Sequence, residues 1–257
     1  EGYEHQYIAF KDIIKFLKLN TQVKLSKLTF KDLFAPNDNS KSLIRDILLS
    51  VINRNISKGT SIELAATTLQ ERCGSFCSSS DILSFRATEH VKKAKEIGIR
   101  DYDSVCFHLN SAMKLYEKIV DDLPFEMLES SVNSMLELNY YPKTIEFLLN
   151  IANLMDKNKL AYQYVANGKM ENDPKKIYYE KRLRIYDFVF DILVKVDEFA
   201  SRGLNKTNES LLISSDVRSL KDESYSIAFG YNDKLFHYHM YDWLVTRDQA
   251  DKLLELD

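Results

Sequence analysis

Zinc needs thiolate and imidazole ligands that converge on one point. One stretch of the chain offers those residue types. Cys73-Gly74-Ser75-Phe76-Cys77 carries two thiols, and Cys106 and His108 follow downstream. The C-x-x-x-C spacing with a later C-x-H fits no zinc framework. Cys73 and Cys106 also fall near apolar helical faces, where a free cysteine acts as a small hydrophobe. His237 and His239 are two apart, which on a helix turns them to opposite sides, so they cannot chelate one ion together. His90 lies within the stripe Ala87, Val91 and Ala94, a setting for a satisfied, partly buried imidazole. Ser111-Ala112-Met113-Lys114 matches S-x-x-K without the partner motifs of that enzyme class. Asp121-Asp122 runs into Leu123-Pro124 and builds no carboxylate cluster for magnesium. Walker A, G-x-G-x-x-G, H-E-x-x-H and G-x-S-x-G are all absent. The sequence therefore assigns no catalytic residue, no cofactor-binding residue and no metal ligand, and the expectation is a protein that is not an enzyme.

Composition points to long helices. Seven glycines and four prolines stand in 257 residues, where average usage would give about 18 and 13. Such scarcity argues against a turn-rich β fold. The formal net charge is -3, with 35 basic and 38 acidic side chains, which leaves no electrostatic footprint for nucleic acid or an anionic membrane surface. Lys92-Lys93 and Lys181–Arg184 are short basic patches among acidic residues, and they read as solvated faces. Three cysteines, an odd number, suit a reducing compartment. No apolar run approaches the length of a membrane span. The chain opens at Glu1 without methionine, as a fragment of a longer protein would.

The elements follow from apolar spacing and caps. A first helix is expected from about Glu4 to Leu19. Thr29 and Asp32 form a capping box for a short helix that stops before Pro36. Asn37–Ser40 reads as a loop. Leu43, Ile44, Ile47, Leu48, Val51 and Ile52 define the next helix, fading by Gly59. Thr60 and Glu63 cap a helix to about Cys73. Ser78 or Ser80 caps another, with Leu83, Ala87, Val91 and Ala94 inward and Gly98 at its C-terminal end. Asp101 opens a helix with the stripe Val105, Leu109, Ala112, Tyr116 and Ile119. Pro124 and Tyr141-Pro142 start two more, and a short helix covers Leu160–Val165. Asp173-Pro174 opens the longest helix, to about Ala200. A polar, aperiodic stretch at 201–213 is expected to be a mobile loop. Ser214–Phe229 reads as helix, and Asn232 is expected to cap the next. That last stretch, Asp233–Leu256, reads as two helices. Phe236, Met240, Trp243 and Leu244 load one face of the first helix. Tyr238, Tyr241 and Val245 load a second, so it is expected to be covered on two sides. Thr246 and Gln249 have the spacing of a new cap. The tyrosines (Tyr140-Tyr141, Tyr178-Tyr179, Tyr231, Tyr238, Tyr241) supply either the edge of the core or a groove for apolar side chains of a short peptide.

The expected fold class is thus all-α. About eleven or twelve helices of unequal length, without a tight repeat consensus, suit an irregular α-solenoid of stacked antiparallel hairpins, with residues 1–257 as one segment.

Five segments, in order, carry a family resemblance. They are LTFKDLF at Leu28–Phe34, LQERCGSFCSSSDILSFRATEHVKKAKE at Leu69–Glu96, YYPKTIEFLL at Tyr140–Leu149, YYEKRLRIYDFVFDIL at Tyr178–Leu193, and the closing DKLFHYHMYDWLVTRDQADKLLELD. Together they resemble the large inner-ring nucleoporins of vertebrates and fungi. The resemblance implies a middle part of the C-terminal α-solenoid of such a protein, at the nuclear pore complex in the nuclear envelope. It implies a structural scaffold supporting nucleocytoplasmic transport. The implied partners are other scaffold nucleoporins and short motifs of linker nucleoporins, with no direct nucleic acid and no membrane contact from this segment. It assigns none of these partners to particular residues. The alternatives are a solenoid scaffold of the vesicle-coat type and, from another class, a compact helical enzyme, whose radius of gyration would be about 18 Å.

Overall fold

The computed structural model describes residues 11–15, 17–33, 37–74, 77–204, 211–247 and 249. Among the described residues there are twelve α-helices and no strand. They are α1 (Leu19–Ser26), α2 (Phe30–Leu33), α3 (Asp38–Ser57), α4 (Ile62–Cys73), α5 (Ser79–Ile97), α6 (Tyr102–Lys118), α7 (Phe125–Glu137), α8 (Tyr141–Met155), α9 (Leu160–Ala166), α10 (Lys176–Leu204), α11 (Leu211–Gly230) and α12 (Lys234–Thr246). Short 3-10 turns at Gly98–Arg100 and Val120–Asp122 flank α6, and residues 11–15 are helical ahead of α1. The chain divides into two compact units. The first takes Glu1–Glu96 with Asp103–Ile119, and the second takes Ile97–Tyr102 with Val120–Asp257.

Caps set the boundaries in the first unit. Thr29 and Asp32 form a reciprocal box: the Asp32 carboxylate accepts from the Thr29 N–H at 2.9 Å, and the Thr29 hydroxyl oxygen accepts from the Asp32 N–H at 3.2 Å. Ser78 and Asp81 repeat it ahead of α5. Its core is small and apolar, built from Ile52, Ala65, Ala66, Leu69, Cys77, Ile82 and Phe85, with Leu48, Leu49 and Ile56 packed on its edge. The expected α6 stripe of Val105, Leu109, Ala112, Tyr116 and Ile119 is buried throughout. Gly98 turns the chain after α5 with a φ of +63°, a left-handed conformation that only glycine adopts without steric cost.

In the second unit α8 packs against both α10 and α11, which also pack on each other; α9 and α12 lie against α10. Ile145, Leu148, Leu149, Ile151 and Ala152 bury the centre of α8, and Ile185, Tyr186, Val189, Ile192 and Leu193 do the same for α10.

Several boundaries differ from expectation. The first helix does not run to Leu19: Leu17 sits in a buried bend, and α1 begins after it. Helix α1 itself has almost no apolar stripe, since only Thr21 is buried. Asn37–Ser40 is no loop. Asn37 is the N-cap of α3, with its side-chain oxygen accepting from the Ser40 N–H at 2.8 Å. Ser61, one residue after Thr60, caps α4 by accepting from the Leu64 N–H. Asp233, one residue after Asn232, caps α12. The stretch at 201–213 is helical at both ends, because α10 reaches Leu204 and α11 begins at Leu211; residues 205–210 lie outside the described residues. Thr246 sits in the last turn of α12 and donates its hydroxyl to the Trp243 carbonyl at 2.8 Å, so it ends that helix. The helix expected after it falls on residues outside those described.

Candidate partner-binding surface and the buried charge cluster behind it

The basic stretch Lys181–Arg184 holds a residue that sequence reasoning misplaced. Arg182 is 2% exposed, at the centre of the second unit. Helical spacing put it among solvated charges, but α10 is covered around much of its circumference, so Arg182 faces inward beside Ile185 and Tyr186. Its Nε donates to Asp156 Oδ2 at 2.9 Å, and its Nη1 donates to Asp233 Oδ2 at 2.8 Å. Both carboxylates are as buried as the guanidinium. Burial works against the charge of Arg182, and Tyr186, Asp233 and Asp156 outweigh it, holding the guanidinium above its ordinary pKa.

Each carboxylate has a second task. Asp156 accepts from the N–H groups of Leu160 and Ala161, at 2.6 and 3.2 Å, which starts α9. The formal N-cap position there is Lys159, left-handed at φ +53° and offering no side-chain cap. Asp233 accepts from the N–H groups of Leu235 and Phe236, at 3.0 and 3.1 Å, which starts α12. One guanidinium on α10 therefore ties together the N-termini of two other helices. Tyr186 and Tyr162 complete the cluster by donating to Asp233, at 2.7 and 2.5 Å. Burial raises the pKa of both phenols, that of Tyr162 up to about 12, so both remain donors. The readable signal was Asp233 directly before an apolar helix; the pairing across 51 positions had none.

On α12 the cap orients two faces. Phe236, Met240 and Leu244 are fully buried, and Trp243 stacks on Phe190 with centroids 5.1 Å apart. The other face departs from expectation: Tyr238, Tyr241 and Val245 are exposed at 59%, 42% and 59%. Beside Tyr238, the rings of His239 and Tyr179 meet, with His239 Nε2 at 3.3 Å from the Tyr179 hydroxyl, and Lys169 Nζ donates to that hydroxyl at 3.1 Å. An exposed aromatic and aliphatic stripe edged by a lysine can hold apolar side chains of a peptide. Tyr140, Tyr141 and Tyr179 are buried, and so belong to the core.

The remaining candidates separate. His237 stacks on Tyr241 and His239 turns to Tyr179, so the two do not converge. Cys77 is buried in the first-unit core, Cys106 is half-buried, and the Cys73 side chain lies outside what is described. Ser111 donates its hydroxyl back to the Phe107 carbonyl at 2.8 Å. Asp121 and Asp122 are exposed in a 3-10 turn. Lys93 pairs with Glu96 on the surface, as expected of a solvated face, and Lys92 bonds to the buried Glu89. Among the described residues no three His, Cys, Asp or Glu side chains could hold a metal ion together, and no helix is long and apolar enough to cross a membrane. The imidazole of His90 meets that of His108.

Comparison with known proteins places this architecture. The chain is 61% identical over its whole length to nucleoporin NUP170 of Saccharomyces cerevisiae, of which it spans 17%. A crystal structure of Chaetomium thermophilum Nup170 SOL superposes with a TM-score of 0.76 at 27% identity, covering 96% of this chain and 31% of that one. The C-terminal domain of the same protein, in a complex with Nup145N, matches with a TM-score of 0.53 at 24% identity, covering 69% of this chain and 34% of that one. The fold is therefore the irregular all-α solenoid of Nup170. The family model for the non-repetitive/WGA-negative nucleoporin C-terminal region matches residues 2–257, and the chain belongs to that nucleoporin family.

Proposed function

We propose that this chain is a structural segment of the nuclear pore scaffold, holding partners at set positions on a helical framework and catalysing no reaction. The observation that carries the reading is the buried Arg182 cluster. It uses three fully buried charges to fix where two helices begin, which serves geometry. Stacked helices bury their stripes against their neighbours and so extend without limit on length, as a scaffold requires.

The partner proposed for the exposed face of α12 is a short motif of a linker nucleoporin, with apolar side chains laid on Tyr238, Tyr241 and Val245. The Nup170–Nup145N complex of the related protein supports that class of partner. The test has two arms. A tagged full-length protein should mark the nuclear rim, and cytoplasmic vesicles would favour the coat-type alternative instead. Pull-down of the 257-residue chain with linker segments should succeed and should weaken about tenfold with Tyr241→Ala, the scale of one lost aromatic anchor. Unchanged capture would remove α12 from the interface.

A further inference from the structure

Two imidazoles in the first unit meet nitrogen to nitrogen. His90, on α5, is 4% exposed, and its Nδ1 lies 2.9 Å from Nδ1 of His108 on α6. Its other nitrogen, Nε2, lies 3.5 Å from Oε1 of Glu63 on α4. Two ring nitrogens at that separation share one proton, with one donating and the other accepting. The geometry therefore sets a proton capacity. With both rings neutral, one Nδ1 carries the shared proton. One further proton fits, because a doubly protonated His90 donates to His108 through Nδ1 and faces the Glu63 carboxylate through Nε2. A second further proton has no place. It would set two N–H groups against each other at 2.9 Å and bring two cations into contact.

We propose that Glu63, His90 and His108 form a proton-sensitive latch joining α4, α5 and α6, closed while the pair holds at most one extra proton and released by the second. The charged groups facing the pair are Glu63 from α4 and Arg86 and Lys93 from α5 itself. Burial lowers the pKa of both rings most. The neighbouring His108 and Arg86 add to that effect at His90, and Lys93 adds to it at His108, while Glu63 opposes it at both. Each ring thus sits below the ordinary value of 6.5 in the folded chain. The folded form then binds fewer protons than the unfolded one. Its stability is full above about pH 6.5 and falls as the pH drops through the folded-state values. The scaffold reading neither requires nor uses this latch.

Imidazole nitrogen NMR of the chain between pH 8 and 5 tests it directly. The expected spectrum at neutral pH shows one of the two Nδ1 atoms protonated and the other bare, and the rings then titrate in two separated steps. Two independent titrations at the ordinary value, or two bare Nδ1 atoms at neutral pH, overturn the proposal. A second arm uses His108→Asn, whose amide oxygen still accepts from His90 but cannot take the second proton. Hydrogen exchange of α5 and α6 amides, corrected for intrinsic rates, should accelerate about tenfold between pH 6.5 and 5.5 in the native chain and much less in the variant. Equal acceleration in both, or none in the native chain, overturns the latch. The readout is confined to α5 and α6 because His239, in the second unit, also favours its neutral form.

Discussion

The two units hold their helices by different means. In the first, α3, α4 and α5 meet through apolar residues, Ile52, Leu69, Ile82 and Phe85 among them. Arg45 reaches Asp81 at 3.2 Å through half-exposed side chains, Thr21 on α1 reaches Asp46 at 3.3 Å, and the buried His90 meets His108. In the second, a guanidinium and two carboxylates are withdrawn from water altogether. Apolar packing is tolerant of sliding, because one methyl contact substitutes for another. A buried guanidinium bonded to two carboxylates is not, since any other register leaves a charge without a partner. The second unit is thus the one whose helix starts are tied to each other through a shared buried charge, and it carries the exposed aromatic face proposed for partners. The first is held by apolar area, by caps local to each helix and by the contact of His90 with His108.

The largest break in that comparison should come from Arg182→Met. It strands two buried carboxylates, and a loss of about 3–5 kcal/mol in urea unfolding is expected. Next is Leu69→Ala in the first-unit core, where a fully buried side chain leaves a cavity, for about 2–5 kcal/mol. A loss for Arg182→Met no larger than that of an ordinary surface charge would erase the distinction between the units. Ser78→Ala removes half of a reciprocal capping box and should lower stability by about 1 kcal/mol, read by thermal melting. Arg45→Ala should cost no more than about 1 kcal/mol, and added salt should shrink the effect, because both side chains of its pair with Asp81 are partly exposed. Tyr238→Ala should change stability by at most about 0.5 kcal/mol, which makes it a clean probe of binding.

Much of this architecture can be read without coordinates, and the reasons divide along physical lines. The α6 stripe and the inward Ala87, Val91 and Ala94 of α5 are legible because burial on one side imposes a 3.6-residue period. The cap at Thr29 is legible because its chemistry is local. Helix α1 escaped because propensity and one buried threonine carry no period. Arg182 escaped for a different reason. Its neighbours Lys181 and Arg184 are exposed, and nothing along the chain distinguishes a buried guanidinium from a solvated one until its carboxylates are brought in from 26 and 51 positions away. The aromatic stripe on α12 was legible as a stripe, but its exposure was not. Periodicity shows that Tyr238, Tyr241 and Val245 share a face, and it is silent on whether another element covers it.

Amide hydrogen exchange at Leu160, Ala161, Leu235 and Phe236 tests the central claim most directly. These four N–H groups are held by the two carboxylates that Arg182 joins. In the native chain they should exchange only with global unfolding of the second unit. In Arg182→Met all four should become fast together, although they lie on two different helices. Retained protection in the variant, or loss at one helix start without the other, would contradict the account.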